Sequence, residues 1–338
     1  MPRYTNEQVR GVLLEEAIAV LLGNAGFKII SAPGGDPTLT RVAAGIAVRG
    51  RGTDHQIDVI GDFPFVSPFA NPSRLLVEGK FWERTIGIDV VRNAAGVLRD
   101  VSEWFLPRQH DSRRYHYQSA IFSASDFSEP AQHYAFAHDI VLFPLRDNAL
   151  FAPVVVAIAQ FDAAAQVSKT LALHGVRELT RRWLMEEGQI PETPDELWQV
   201  LSNLRVATVD IGQAYIARTS HGLPLFLVPS SRETASQIGE IGETQWMSVH
   251  YSHNEGWRIR TRGYGSPGEF SFDLPKELLR VFQRDGRLKR SEALDMKQDH
   301  FEEIHAYRFV NGRIEAMVLK LDESWLQSAR EALFEEHE

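Results

Sequence analysis

The sequence predicts a mixed α/β sheet flanked by helices over residues 1–148, followed by an α+β domain rich in antiparallel strands over residues 149–338. Three observations lead there. The hydrophobic patterns of the first part run helix, several strands, helix, strand, helix, strand. The early strands are close enough to pair antiparallel, whereas helices separate the later ones and imply parallel pairing through right-handed crossovers. After about residue 150 the pattern turns to alternating, turn-rich segments.

The first helix is expected over 5–23, because Val9, Val12, Leu13, Ala17, Val20 and Leu21 recur at helical spacing. Leu14, Ile18 and Leu22 widen its apolar face, and Asn24–Gly26 stops it. A short β segment at Phe27–Ser31 leads into a Pro- and Gly-rich loop at 32–37. Strands are then expected at Arg41–Val48, Gln56–Gly61 and Leu75–Trp82, the last two joined by a Phe- and Pro-rich loop. A helix at 88–104, a strand at Gln118–Ser123, a helix at Glu129–His138 and a strand at Ile140–Leu145 complete the first part. In the second part Val154–Phe161 is an apolar run, 163–187 reads as a helix, and another helix starts after the Pro191–Pro194 break. Strands are expected at Tyr215–Arg218, Leu225–Val228, Trp246–Tyr251, Trp257–Thr261 and about 305–320, with helices near 275–284 and 323–335.

Composition narrows the chemistry. Hydrophobic residues at 43% and charged residues at 24% describe an ordinary globular chain of 338 residues. There is no cysteine, which excludes disulfides, thiolate zinc sites and a cysteine nucleophile. The polar start MPRYTNEQVRG lacks the apolar core of a signal peptide, and no apolar run is long enough to span a bilayer. The expectation is a cytoplasmic protein with no membrane partner. A net charge of −9 disfavours a nucleic-acid partner only weakly, because the field depends on where charges sit.

Two segments carry the chemistry, Arg49–Ile60 and Leu75–Trp82. Glu78 and Lys80 are two apart on a strand and share a face, with Val77 and Phe81 on the other. Pairing with the strand of Asp58 brings Asp58, Glu78 and Lys80 into one patch. Asp58 and Glu78, with the carbonyl of Gly79, offer oxygen ligands suited to Mg²⁺, for which Mn²⁺ substitutes. Lys80 is placed to orient or deprotonate a water or to neutralise developing charge. An isolated Glu-x-Lys is also what a surface salt bridge on an edge strand looks like.

The surrounding pattern adds specificity. Gly11-Val-Leu-Leu-Glu15, Gly23–Ile30, Gly52-Thr-Asp-His-Gln-Ile-Asp58, Leu76-Val-Glu78-Gly-Lys80, Ile86–Gly96 and Ser119–Ala137 follow one another in a family's order. Over residues 8–145 the chain resembles the PD-(D/E)xK nucleases, most closely their Mrr-like restriction endonuclease branch. The resemblance implies a restriction-endonuclease-like sheet and metal-dependent hydrolysis of DNA in restriction or defence. It adds Glu15 as an auxiliary acid, for which a solvated helix residue is the competing reading; Gln56 shares the face of Asp58 and is a candidate site neighbour or a strand-end polar residue. Many relatives carry Gln where this chain has Glu78. Two-strand cleavage by a single-site nuclease implies a homodimer, and a defence role implies a partner protein of the same system. A catalytically inactive DNA-binding or regulatory protein of the same fold, and a nuclease for RNA or branched DNA, remain alternatives.

Outside the acid patch, Arg49 and Arg51 have strand spacing and are candidate phosphate contacts, as are Arg258, Arg260 and Arg262, which alternate beside Trp246, Tyr251 and Trp257. Solvated charge is the competing reading for both sets. Phe63, Phe65 and Phe69 are candidates either to wedge between bases or to pack on their own domain. A further basic run holds Arg280, Arg284, Arg287, Lys289 and Arg290.

Overall fold

The computed structural model describes residues 5–42, 45–66, 68–104, 114–146, 148, 150–161, 173–185, 195–211, 213–231, 234, 244–252, 256–262, 268–274, 290–310 and 313–335. The expected helix at 275–284, the break at Pro191–Pro194 and the basic positions Arg280, Arg284, Arg287 and Lys289 lie outside the described residues. The chain forms two compact units, Met1–Gly212 and Gln213–Glu338.

The first unit opens with helix α1 (Asn6–Asn24), started by a capping box in which Thr5 Oγ1 accepts from the Gln8 N–H and the Gln8 side chain accepts from the Thr5 N–H. Its sheet has the order β1-β5-β6-β7-β8, with β1 at Lys28–Ile29, β5 at Val59–Asp62, β6 at Ser73–Lys80, β7 at His116–Ser123 and β8 at Ile140–Pro144. The pairs β1–β5 and β5–β6 are antiparallel, whereas β6–β7 and β7–β8 are parallel. Those parallel steps are made through helices α2 (Ile88–Ser102) and α3 (Glu129–Ala137), as the spacing predicts. Residues Ile86, Val91, Ile121, Phe127, Ala131 and Ile140 form the core between α2, α3 and the sheet.

Three features of the first unit differ from the expectation. The single strand expected at Arg41–Val48 is a hairpin of β2 (Leu39–Val42) and β3 (Gly45–Arg49), whose register runs from Leu39↔Val48 to Val42↔Gly45. Gly45 takes φ 149, a conformation that side chains rarely adopt. The strand expected at Gln56–Gly61 is broken. Its first part is β4 (Asp54–Gln56), which pairs with β3 in a separate three-stranded sheet, while its second part is β5. Ile57 is buried with Leu39, Val48, Ile60, Leu76 and Val101, and this apolar cluster joins the two sheets to α2.

The third difference is the boundary, expected at 148/149 and found at 212/213. Residues 154–159 of the apolar run fall in helix α4 (Ala152–Ala159), and α5 (Leu173–Met185) and α6 (Asp195–Ile211) follow. All three pack on α1, whose other side lies on β5 and β6. The widened apolar face of α1 follows from that sandwich: Val9, Val12, Leu13, Leu14, Ala17, Ile18, Leu21 and Leu22 are all buried. Arg10 of α1 donates to the carbonyls of Ala159 and Phe161 and so caps the end of α4.

A buried arginine clamps the two sheets together. Arg74 of β6 is 1% exposed, donates to both oxygens of Asp62 at 2.6 and 2.9 Å, and reaches Asp36 Oδ2 at 2.9 Å and Thr38 Oγ1 at 2.7 Å. The Tyr115 ring lies 3.6 Å from its guanidinium, and the Tyr115 hydroxyl also donates to Asp36.

The second unit is a closed barrel of seven strands in the order β10-β13-β12-β11-β15-β14-β9. The strands are β9 (Tyr215–Thr219), β10 (Pro224–Pro229), β11 (Thr244–Ser252), β12 (Gly256–Arg262), β13 (Glu269–Phe272), β14 (Glu303–Val310) and β15 (Arg313–Leu321). All pairs are antiparallel except β11–β15. The strand expected near 305–320 is the β14–β15 hairpin. Helices α7 (Arg290–Phe301) and α8 (Glu323–Glu335) pack on each other beside it. The core holds Tyr215, Leu227, Met247, Val249, Trp257, Ile259, Phe270, Phe301 and Leu319. Among the described residues no helix is long and apolar enough to cross a membrane.

Candidate active site

The break between β4 and β5 places Asp58. The β5–β6 register starts at Val59↔Val77, so one step further Asp58 falls opposite Glu78. Asp58 lies outside both ladders, and its Oδ2 accepts the Gly79 N–H at 2.9 Å. Gly79, expected to offer its carbonyl, is thus brought to Asp58 by its amide. Glu78 and Lys80 form an ion pair on the face of β6 opposite Val77, which is buried. Lys80 Nζ also lies 5.7 Å from the Trp82 ring, which Arg84 covers at 4.5 Å.

Glu15 approaches from α1. A Cβ placed on Gly79 would stand 3.5 Å from Glu15 Cγ and 3.5 Å from Ile18 Cδ1, so the helix passes directly over the glycine. Burial, and then the charge of Asp58, push the Glu15 carboxyl up to about 7 against the pull of Arg177. Burial, and then the charge of Glu78, push Asp58 up to about 6, opposed by the Gly79 N–H, Lys80 and Arg177. Glu15, Asp58 and Glu78 therefore crowd negative charge into a partly dry place where Lys80 and Arg177 only partly offset it.

Arg177 was not among the residues singled out from the sequence. It comes from α5, pairs with Glu15, and reaches Glu16 Oε1 at 3.2 Å, while Arg181 one turn later bonds both oxygens of Glu16 at 2.8 and 2.9 Å. Their spacing of four marks one helical face, but nothing local names acids 162 residues away as partners.

On the Glu78 and Lys80 side lies a cavity of about 460 Å³ between β4, β6 and α2. Gln56, His55 and Trp82 line it, as do Asp89 and Asn93, which are four apart on α2. Gln56 is thus near the site, but it belongs to the small sheet and does not share a strand face with Asp58. His55 is held by Asp100, with Nε2 and Oδ2 2.8 Å apart; Asp100 also accepts from the N–H groups of Gly52 and Thr53. Only glycine fits at 50 in that loop, since a Cβ there would meet Asp100 Oδ2 at 2.1 Å and the Thr53 carbonyl at 2.6 Å.

The expected phosphate contacts are placed less favourably. Arg51 pairs with Glu103 and sits 3.9 Å from Asp100. Arg49 Nε is buried without a hydrogen-bond partner among the described residues. Arg258, Arg260 and Arg262 do share the outer face of β12, but Glu269 holds the first two and Asp322 lies 3.6 Å from the third. Trp257 is in the barrel core, whereas Trp246 and Tyr251 are exposed. Phe63 packs against Phe27, while Phe65 and Phe69 are exposed.

The donor set is what a hard divalent cation takes: carboxylate oxygens of Asp58 and Glu78 with a further acid, Glu15, close by. Among the described residues no three or more His, Asp or Glu side chains are gathered as a ready cage, so most ligands of such an ion would be water.

No family model matches the chain, and no curated protein matches it. A solved structure titled "Crystal Structure of Protein of Unknown Function AF1548" matches over 60% of this chain and 96% of its own, at 17% identity and a TM-score of 0.32.

Proposed function

We propose that the first unit is a metal-dependent endonuclease of the restriction-endonuclease-like fold, hydrolysing DNA phosphodiester bonds in defence against foreign DNA. One observation carries the reading: Asp58 falls opposite Glu78, which pairs with Lys80, at the ends of paired strands beside a cavity. Asp58 and Glu78 would hold Mg²⁺ or Mn²⁺, which supplies a lowered pKa for a bound water and polarises the phosphate. Lys80 carries positive charge where phosphate oxygens would lie, and its ion pair with Glu78 keeps that charge beside the metal ligands. Glu15 presents its carboxylate from α1, and Arg177 holds that side chain in place. Trp82 and apolar residues of α2 line one side of the cavity. Cleavage of both strands calls for two copies of this site.

The test is cleavage of plasmid, methylated plasmid, single-stranded DNA and RNA by the full chain with Mg²⁺ or Mn²⁺. Cutting that disappears in Asp58→Ala and Lys80→Ala supports the proposal. Metal-dependent binding with no cleavage, unaltered by either substitution, defeats it in favour of a binding protein.

A further inference from the structure

The outer face of the barrel gathers cations that the acid cluster does not use. Ser248 and His250 point outward from β11, with Arg260 and Arg258 opposite them on β12. His250 Nε2 lies 2.8 Å from Ser248 Oγ, and the His250 ring meets the Trp325 ring of α8 edge-on at 5.3 Å. Lys297 of α7 lies over the same tryptophan, its Nζ 5.4 Å from the ring centre.

Lys297 is the informative member. Its helical neighbours three and four residues away are Ala293, Leu294, His300 and Phe301, and it makes no ion pair among the described residues. Burial alone pushes its amine down to about 8. Burial, then the charges of Arg260 and Lys297, push His250 down as well, with Glu269 opposing. Holding a partly buried ammonium and an arginine around an imidazole costs free energy unless an anion joins them. Glu269 meets that need for Arg258 and Arg260 but, already shared by the two, leaves Lys297 without a counter-charge among the described residues.

We propose that this face, framed by Ser248, His250, Arg260, Lys297 and Trp325, is a binding site for the phosphoryl group of a nucleotide or nucleic acid. Lysine and arginine from separate elements, with the Ser248 and His250 polar groups between them, suit the several oxygens of a phosphoryl group better than a carboxylate, for which one bidentate arginine suffices. Trp246 stands on the same outward face of β11, 51% exposed, and offers a stacking surface for a base. The site gives the second unit a ligand and does not depend on hydrolysis in the first.

The experiment measures binding to the full chain by calorimetry, without divalent metal, using inorganic phosphate, a nucleoside 5′-monophosphate and a single-stranded oligonucleotide. We expect saturable binding that Lys297→Gln weakens about tenfold or more and Lys297→Arg largely keeps. Trp246→Ala should weaken the monophosphate and the oligonucleotide but not inorganic phosphate. Binding of the oligonucleotide alone identifies nucleic acid as the source of the phosphoryl group, and binding of the monophosphate identifies a free nucleotide. The His250 ring proton resonances of the unsubstituted protein should also shift on adding the ligand, a readout that needs no variant. Absence of binding by all three probes at millimolar concentration, or binding that leaves His250 unmoved and is indifferent to Lys297→Gln, overturns the site.

Discussion

Two groups of charged residues, both visible as alternating patterns on strands, meet opposite fates in the two units. Around Asp58 the acids of β6, α1 and the β4–β5 junction are crowded together, and the carboxyls of Asp58 and Glu15 rise to about 6 and about 7. Along β12 the arginines of an equally regular pattern are offset by Glu269 and Asp322. Spacing reports which residues share a face. It does not report whether their charge is already balanced, and imbalance is what a ligand can exploit.

The largest effect should come from breaking the crowded group. Asp58→Asn or Lys80→Ala should lower metal-dependent cleavage by about 10³-fold or more, measured as initial rates on plasmid. The same Asp58→Asn should make the metal-free protein more stable near neutral pH, by about 1 kcal/mol or more in urea unfolding, because a repelled, partly buried charge is gone. Stability unchanged or reduced would mean that the charge of Asp58 is already compensated.

The pH dependence follows with its sign. A carboxyl whose folded value lies above its unfolded value holds its proton more tightly when folded. Its stabilising contribution is therefore complete below the unfolded value and is lost as pH rises through the folded one. For Asp58 that window runs from 3.8 to about 6, and for Glu15 from 4.5 to about 7. Metal-free protein should lose melting temperature on this account between about pH 4 and 7, and Mn²⁺ should restore it at the upper end. Asp36 acts in the opposite sense at the acid end. Burial would raise it, but hydrogen bonds from Tyr115, Thr38 and Arg74 hold it at about 2, so its contribution is lost as pH falls from 3.8 through that value. Melting curves of parent and Glu15→Gln across pH, with and without Mn²⁺, separate the two.

The balanced group should respond least. Arg262→Ala, at an exposed pair with Asp322, should change stability by no more than about 0.5 kcal/mol in the same urea assay. Glu269→Gln sharpens the contrast, since it frees Arg258 and Arg260 and should strengthen oligonucleotide retention about two- to threefold in filter binding, with a steeper salt dependence. If Arg262→Ala instead abolished binding, Arg262 would be a ligand contact in spite of its pairing with Asp322.

What the sequence made legible was local. The period of two that puts Glu78 beside Lys80 needs only three residues, and the crossover logic for β6, β7 and β8 needs only the helices between them. The break at Ile57 and Asp58 was not legible, because Gln-Ile-Asp-Val-Ile reads as one strand until two sheets compete for its halves. The membership of α4, α5 and α6 in the first unit, and with it Arg177 beside Glu15, depends on packing between segments far apart in the chain. Closure of the barrel was hidden for the same reason, since the parallel β11–β15 pair and the β9–β14 pair leave no mark within either strand.

Arg74 gives the first unit a cross-brace. Its guanidinium ties Asp36 and Thr38, just ahead of the small sheet, to Asp62 on the large one, while Asp58 sits at the joint between those sheets. Arg74 and Glu78 are four residues apart on one strand, roughly 13 Å. The two segments that meet at Asp58 are thus also tied at the far end of β6, by a residue with no part in the chemistry. Loosening that brace would remove a tie between the two sheets while leaving every reactive group in place, so the joinery of the site can be altered separately from its chemistry.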